Sequence, residues 1–362
     1  MRLAVLTSGG DAPGMNAAIR VVVKTAAAAG AEVLGVERGY EGLMDGRLRS
    51  LTELTGGRLR SADELDVAAS QGGTVLGSVR SARFMTPEGR AAAARTLAEN
   101  GVGGLVVIGG NGSLAGAHAL ATEHPVAVVG IPASIDNDLG ATSTAIGVDT
   151  ALNTILEACD RISDTARAHR RAFVVEVMGR RCGYLAMASA IAAGADAVLF
   201  PEQPPPDDEI VARTEAAIRA VFDRGGDARR ALVIKAEGVE FPTTRLVREL
   251  AARMEVDLPG VDVRAVVLGH VVRGGAPSFQ DRMVAARLGR AAAQLLLSGG
   301  TDRMVAWRPE RLAGHAETDD SSVTHVSLEQ VLLETDALLD GTAATTRRRV
   351  AMMQAVEGVM LV

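Results

Sequence analysis

Aromatic side chains are nearly missing from this 362-residue chain: Phe, Tyr and Trp together make up 2% of it. A core must therefore be assembled from Val, Leu, Ile and many Ala. Cysteine is scarce as well. Cys159 and Cys182 are the only two, and their spacing fits no metal-ligand pattern. That speaks against a disulfide framework and makes a reducing cytoplasm the expected setting. No apolar run approaches the ~20 residues of a membrane-spanning helix. Met1-Arg2 leads straight into a short apolar segment, Leu3–Leu6, so neither a signal peptide nor a membrane span is expected. Basic residues are not in excess: 38 face 44 acids, for a net charge of −6. That balance argues against nucleic acid as a partner.

What is present reads as a globular protein. Apolar residues make up 48% and charged residues 23%, and the length suits two domains. Forty glycines imply many tight turns. The first strand ends in Thr7-Ser8-Gly9-Gly10-Asp11-Ala12-Pro13-Gly14, and a helix follows, from about Asn16 to Ala29. Strand, Gly-rich turn and helix together offer backbone N–H groups and a helix N-terminus to a phosphate. The turn carries neither the G-x-G-x-x-G dinucleotide fingerprint nor the Gly-Lys-Ser/Thr ending of a Walker loop. A second strand-to-helix turn, Gly109-Gly110-Asn111-Gly112-Ser113, repeats the device, with Ser113 placed to cap the next helix.

A third turn is the centre of the reading. The apolar run Val126–Val129 is expected to be a buried strand. It leads to Ile131-Pro132-Ala133-Ser134-Ile135-Asp136-Asn137-Asp138. If that segment were extended, Asp136 and Asp138 would face the same way, because side chains repeat with period two. One carboxylate would then take a proton while the other held a metal or oriented its neighbour. An Asx-rich turn capping a helix would look the same from the octapeptide alone.

Farther along, strands end in Met178-Gly179-Arg180, in Glu237-Gly238 and in Gly269-His270-Val271-Val272-Arg273. Arg180, Arg264 and Arg273 are read as following strand ends, and Arg171 as opening a strand. Arginine forks grip phosphate in two-pronged fashion, so these positions point to an anionic sugar. Repeated β-then-α units with apolar strands give a doubly wound α/β architecture.

Leu6–Asn16, the Gly-Gly-x-Gly-Ser turn, Ser134–Asp138, Val175–Arg180 and Gly269-His270-x-x-Arg273-Gly274-Gly275 occur in one order. In that order they resemble the 6-phosphofructokinase family, from about Arg2 to Gly289. The resemblance implies transfer of a phosphoryl group from ATP to the 1-hydroxyl of fructose 6-phosphate, with Mg²⁺ as cofactor, in a cytoplasmic homotetramer. It implies two doubly wound, three-layer α/β domains: a larger nucleotide-binding domain (1–147 plus about 267–310) and a smaller sugar-phosphate domain (148–266 plus about 311–362).

Carried over position by position, Asp136 is the base and Arg180 stabilises the moving phosphoryl group. Ser134 stands beside that group, and Asp138 is close to the metal. Met178, Gly179 and Glu237 contact the sugar. Arg171, Arg264, His270 and Arg273 grip its 6-phosphate, Arg171 and Arg264 from a neighbouring subunit. Gly10, Tyr40, Arg80, Gly110, Asn111, Gly112 and Ser113 fall on the nucleotide side. Pyrophosphate users of the family carry Asp in place of Gly112 and Lys in place of Ala133, so ATP is favoured. Asn111 departs from the family's metal-site Asp.

The effector cluster of bacterial members is matched by Arg20 and Asp196, with Lys24 as a conservative stand-in, but Gln71 and Ser163 replace arginines. Effector control by ADP or phosphoenolpyruvate is therefore expected to be altered or absent. Other readings keep the fold with pyrophosphate or another sugar phosphate, or make the chain a non-catalytic sensor of sugar phosphate or nucleotide. A dinucleotide oxidoreductase is disfavoured by the first turn.

Overall fold

A computed structural model describes residues 1–223, 230–309 and 320–360, without the side chains of 357–360. The chain opens with β1 (Arg2–Ser8), α1 (Met15–Ala28), β2 (Glu32–Val36), α2 (Gly39–Met44), β3 (Leu48–Ser50), β4 (Thr52–Thr55) and β5 (Arg58–Ser61). Then come α3 (Glu64–Ala68), α4 (Pro87–Glu99), β6 (Gly104–Gly109), α5 (Asn111–Glu123), β7 (Val128–Pro132) and α6 (Val148–His169). The middle part holds β8 (Arg171–Val177), α7 (Tyr184–Ala193), β9 (Ala197–Leu199), α8 (Asp207–Asp223), β10 (Arg230–Ala236), α9 (Thr243–Asp257) and β11 (Asp262–Val267). The last elements are α10 (Phe279–Leu297), β12 (Arg303–Trp307), β13 (Val323–Ser327), α11 (Leu328–Leu339) and α12 (Ala344–Met360).

These elements form two compact units. The first is built on a seven-stranded sheet in the order β13-β12-β7-β6-β1-β2-β3. Its centre is parallel, and β3 and β13 close the two edges in antiparallel fashion. Every residue of β6 is buried, as expected of a strand covered on both faces. The helix α1 shows why its sequence folds as it does. Met15, Ile19, Val22, Val23 and Ala26 are buried along one side, while Arg20 and Lys24 are not. Gly30, at φ 76, ends it: Ala31 N–H bonds the Ala26 carbonyl at 2.9 Å and Gly30 N–H that of Ala27 at 3.0 Å, a Schellman closure.

The second unit is built on a four-stranded parallel sheet, β11-β8-β10-β9. In it α7 packs with α12, and α8 with α9.

The division differs from the expected one at four places. The first unit extends through Thr150, three residues past the expected boundary at 147. Asp136–Asp138 belong with the second unit although β7 lies in the first. The stretch Val267–Val272 also belongs with the second. The chain through Ala337 belongs with the first, because β13 pairs with β12 along all five residues at that sheet's edge. Residues 311–319 of the expected smaller domain lie outside the described residues. The strand expected over Val126–Val129 forms instead over Val128–Pro132, set by its pairing with Leu105–Gly109.

Within the first unit, α6 begins on a carboxylate borrowed from α10. Asp281 accepts from Gly147 N–H at 2.8 Å, Thr150 N–H at 2.8 Å and Thr150 Oγ1 at 2.5 Å. It thus serves as an N-cap supplied from another helix. Burial pushes this carboxyl above its usual range, and the Thr150 and Gly147 donors oppose that shift. Asp281→Ala removes the acceptor those donors share. The protein should lose about 2–4 kcal/mol, read as a lower midpoint in chemical denaturation; a loss within 0.5 kcal/mol, about what a neutral surface change gives, would contradict the cap.

Candidate active site

Three loops meet at the carboxyl ends of β1, β6 and β7. These strands are parallel neighbours, so their exits open on one sheet edge. From β1 the chain crosses through α1 to β2; from β6 it crosses through α5 to β7, in the other direction along the sheet. With right-handed crossovers on both sides, α1 and α5 fall on opposite faces, and a crevice opens between β1 and β6.

Glycine makes the convergence possible. A Cβ on Gly9 (φ 88) would lie 3.1 Å from Ser113 Oγ, and one on Gly109 would lie 2.7 Å from the same atom. Ser113 is therefore wedged between the first two loops. It does not cap α5, contrary to expectation. The helix begins two residues earlier, at Asn111, with Gly110 at the cap position. Ser113 N–H already bonds the Gly110 carbonyl at 3.0 Å. A Cβ on Gly110 would come within 3.7 Å of Ser134 Cβ, which brings in the third loop.

The first turn of α5 thus offers the N–H groups of Asn111 and Gly112 at a helix N-terminus, a ready anion site. Gly112 is exposed, and a Cβ there would meet nothing within 4 Å. Ala133 is buried, bridged to Ile146. Arg273 lies along the first loop: its Nη1 donates to the Asp11 carbonyl at 3.3 Å, and a Cβ on Gly10 would sit 2.8 Å from that nitrogen.

Tyr40, expected on the nucleotide side, packs inside the first unit. Its ring stacks on Phe84 at 3.7 Å, its hydroxyl donates to the Ser113 carbonyl at 2.7 Å, and it is buried. Burial pushes the phenol well above its usual range. Tyr40 therefore braces the start of α5 from beneath. Arg80 is exposed on the loop beyond Gly77.

In the second unit, the exits of β8 and β10 run side by side, with Ala236 opposite Val177. Glu237 accepts from Gly179 N–H at 3.2 Å and Arg180 N–H at 2.8 Å through one oxygen, Oε1. Arg180 is held at φ 51 and Gly179 at φ 144, conformations that L side chains avoid and that persist only when neighbours enforce them. Gly238 leaves the room: a Cβ there would lie 1.9 Å from the Arg180 carbonyl oxygen. This clamp, which nothing in the local sequence announced, fixes the turn that carries Arg180, Met178 and Gly179.

The Arg180 guanidinium reaches Asp136, with Nε 3.6 Å from Oδ2. Asp136 is 2% exposed, whereas the Arg180 side chain is 47% exposed. Asp136 and Asp138 do not lie on an extended segment. Asn137 between them adopts φ 50, the left-handed region that Asn tolerates better than most residues. The period-two inference fails there, because the segment turns rather than extends.

Arg171 and Arg264 are not brought to Asp136. Both sit near the amino ends of β8 and β11 and share Asp262 Oδ2, at 3.2 and 2.8 Å. Arg264 is inside β11, not beyond its end. Six residue steps separate Arg171 from Val177, about 20 Å of strand. His270 is exposed on the turn Gly269–Arg273. Among the described residues no group of three or more His, Cys, Asp and Glu forms a metal cage.

A family model described as Phosphofructokinase matches residues 2–296. The chain belongs to the phosphofructokinase family. It is 46% identical over 307 residues to the ATP-dependent 6-phosphofructokinase of Thermotoga neapolitana, covering 84% of this chain and 89% of that protein. It is 45% identical over 304 residues to ATP-dependent 6-phosphofructokinase 1 of Thermus thermophilus, covering 84% and 88%. The structure of phosphofructokinase from Saccharomyces cerevisiae superposes with a TM-score of 0.80 at 32% identity, over 99% of this chain. This chain spans about half, 49%, of that longer one. A pyrophosphate-dependent phosphofructokinase from Marinobacter aquaeolei, at 20% identity and a TM-score of 0.74 over 97% of this chain and 91% of that one, shares the fold.

Proposed function

We propose that this protein transfers the γ-phosphoryl group of ATP to the 1-hydroxyl of fructose 6-phosphate, giving fructose 1,6-bisphosphate, as in glycolysis. The observation that carries the reading is the buried Asp136 with the Arg180 guanidinium 3.6 Å away. Phosphoryl transfer needs positioning and charge neutralisation more than covalent chemistry. Asp136 accepts the proton of the sugar hydroxyl as the oxygen attacks. Arg180 neutralises charge on the moving group. Glu237 keeps the Gly179–Arg180 turn in place through its two backbone bonds. Ser134 stands beside the transferring phosphate, and Met178 and Gly179 line the sugar.

On the donor side, the α5 N-terminus with Gly110, Asn111, Gly112 and Ser113, together with Gly10 and Arg80, takes the nucleotide. Space around Gly112 supports ATP over pyrophosphate, because an Asp there would crowd the α-phosphate. The residues also suit Mg²⁺: Asp138 would supply a carboxylate and Asn111 a neutral amide oxygen, and this ion is usually held by one or two carboxylates plus substrate phosphates and water rather than by an all-protein cage. When bound, Mg²⁺ offsets negative charge on the nucleotide phosphates.

A homotetramer accounts for the arginines. His270 and Arg273 grip the 6-phosphate from the same chain. Arg171 and Arg264, set at the far end of the second sheet, serve a neighbouring copy. Exposed Val267 and Val271, at 57% and 69%, on and just beyond the edge strand β11 are consistent with a covered face. No described helix is long and apolar enough to cross a membrane, and a cytoplasmic site of action fits the proposed pathway.

A coupled assay with fructose 6-phosphate tests the reading, comparing ATP and pyrophosphate at several Mg²⁺ levels. Turnover with ATP is expected; absence of turnover with either donor would reduce the chain to a sensor. Asn111→Asp restores a unit charge to the donor set. The parent is therefore expected to show the weaker Mg²⁺ dependence of the two, and superimposable titrations would discard that role for position 111.

The effector prediction also gains a physical basis. Arg20 and Lys24 both bind Asp66, Lys24 at 2.6 and 2.9 Å, and together hold its carboxyl below the usual range. Asp196 accepts from Leu232 N–H at 2.8 Å. The cations that would meet an anionic effector are engaged within the chain. ADP and phosphoenolpyruvate should leave the fructose 6-phosphate saturation curve in place; a clear shift by either contradicts this.

A further inference from the structure

We propose that Arg349, on the C-terminal helix α12, is a positioning residue for the reaction: it holds the backbone of the Asp136–Asn137–Asp138 turn in its working conformation. Arg349 lies beyond residues 2–296, the stretch matched by the family model, so nothing in the motifs points to it.

Its Nη1 donates to the Asn137 carbonyl at 3.2 Å. The same nitrogen lies 3.5 Å from Cys182 Sγ, and the guanidinium sits 4.4 Å over the ring of Tyr184. A guanidinium can stack through its face while its edge donates, so the Tyr184 contact fixes the direction of the bond. Cys182 adds a weak second donor to the same carbonyl, Sγ to oxygen at 3.9 Å. Burial pushes that thiol up to about 12, so it stays protonated and able to donate.

The carbonyl so held belongs to the one residue of the turn at positive φ. Asn137 is also the link between the proposed base and the acid nearest the metal. A left-handed residue keeps its conformation only if its peptide groups are tied. Rotation of the Asn137 peptide would swing the carboxylates on either side of it. The Arg349 charge also acts on a half-buried acid. Glu202 accepts from Gly183 N–H at 2.7 Å, burial pushes its carboxyl up, and the Arg349 charge opposes that shift. The clamp is thus a charge set among buried and half-buried groups, where α12 packs with α7.

This inference rests on the kinase reading, and its test separates the two. Arg349→Met, Arg349→Lys and Met353→Ala would be compared with the parent. Met353 is a fully buried side chain on the same helix, and its truncation loosens α12 without touching the turn. Kinetics would be measured with fructose 6-phosphate and ATP, and amide hydrogen exchange over residues 136–140. Arg349→Met should lower kcat by about 10- to 100-fold, leave both KM values within a few-fold, and speed exchange in that segment. Arg349→Lys, which keeps a charged donor, should recover part of the lost kcat. Met353→Ala should lower the unfolding midpoint with kcat and the local exchange unchanged.

An active parent with kcat unchanged in Arg349→Met overturns the proposal, as does Met353→Ala reproducing both effects. If the parent shows no turnover, the kinase reading fails and exchange decides. Faster exchange over 136–140 in Arg349→Met alone upholds the clamp, and unchanged exchange overturns it.

Discussion

Asp136→Asn is expected to lower kcat for fructose 6-phosphate by about 10²–10⁴, the usual worth of a positioned general base. The substitution keeps the volume of a side chain that is 2% exposed, so the packing behind it stays. It removes the proton acceptor. It also removes one partner of the pair with Arg180, but that guanidinium is 47% exposed, and pairs reaching into solvent contribute only about 0–1 kcal/mol. Stability should therefore change by no more than about 1 kcal/mol, and a fall in rate could not be assigned to unfolding. The KM for fructose 6-phosphate should move little, because the proton is exchanged only as the transition state forms. A kcat within tenfold of the parent rules Asp136 out as the base.

Arg180→Met should cost about 10²–10³ in kcat, the scale seen when one preorganised donor to a developing charge is lost. The backbone at Arg180 is held by Glu237 through the amides of Gly179 and Arg180, not by the Arg180 side chain. The turn should thus survive the substitution, and the loss reports the guanidinium alone. An interaction made only in the transition state lowers kcat and kcat/KM together. A rise in KM at constant kcat would instead make Arg180 a ground-state grip on the sugar, and a kcat within a few-fold would remove it from the chemistry. The two variants should also be far from additive, because carboxylate and guanidinium touch.

The parts of the site differ in how visible they were beforehand. The Gly-rich turns after β1 and β6 could be read because strand, glycines and helix follow one another within about a dozen residues, and the backbone geometry they need is local. The acid at position 136 could be read from a motif. The clamp of Glu237 on the Gly179–Arg180 turn could not, since 57 residues separate Arg180 from Glu237. The requirement for glycine at 238 comes from a carbonyl 58 positions earlier in the chain. The brace at Tyr40 is equally hidden, because it depends on the packing of Phe84 and the Ser113 carbonyl around the ring. The twist at Asn137 escaped a rule that assumes an extended chain.

By itself, the sequence determined the alternation of strand and helix, the phosphate-friendly turns, the family and the identity of the acids and arginines. Those follow from periodicity, local backbone preference and short motifs, all of which act over a few residues. The tertiary structure alone decided which of those groups meet. Parallel pairing places the exits of β1, β6 and β7 on one edge, and the pairing of β8 with β10 sets Glu237 against Arg180. The same sheet keeps Arg171 and Arg264 at its opposite end, and the packing of α12 delivers Arg349 to Asn137 across an interval of 212 residues. Such contacts depend on how buried surfaces stack and register, and no stretch of chain encodes that stacking alone.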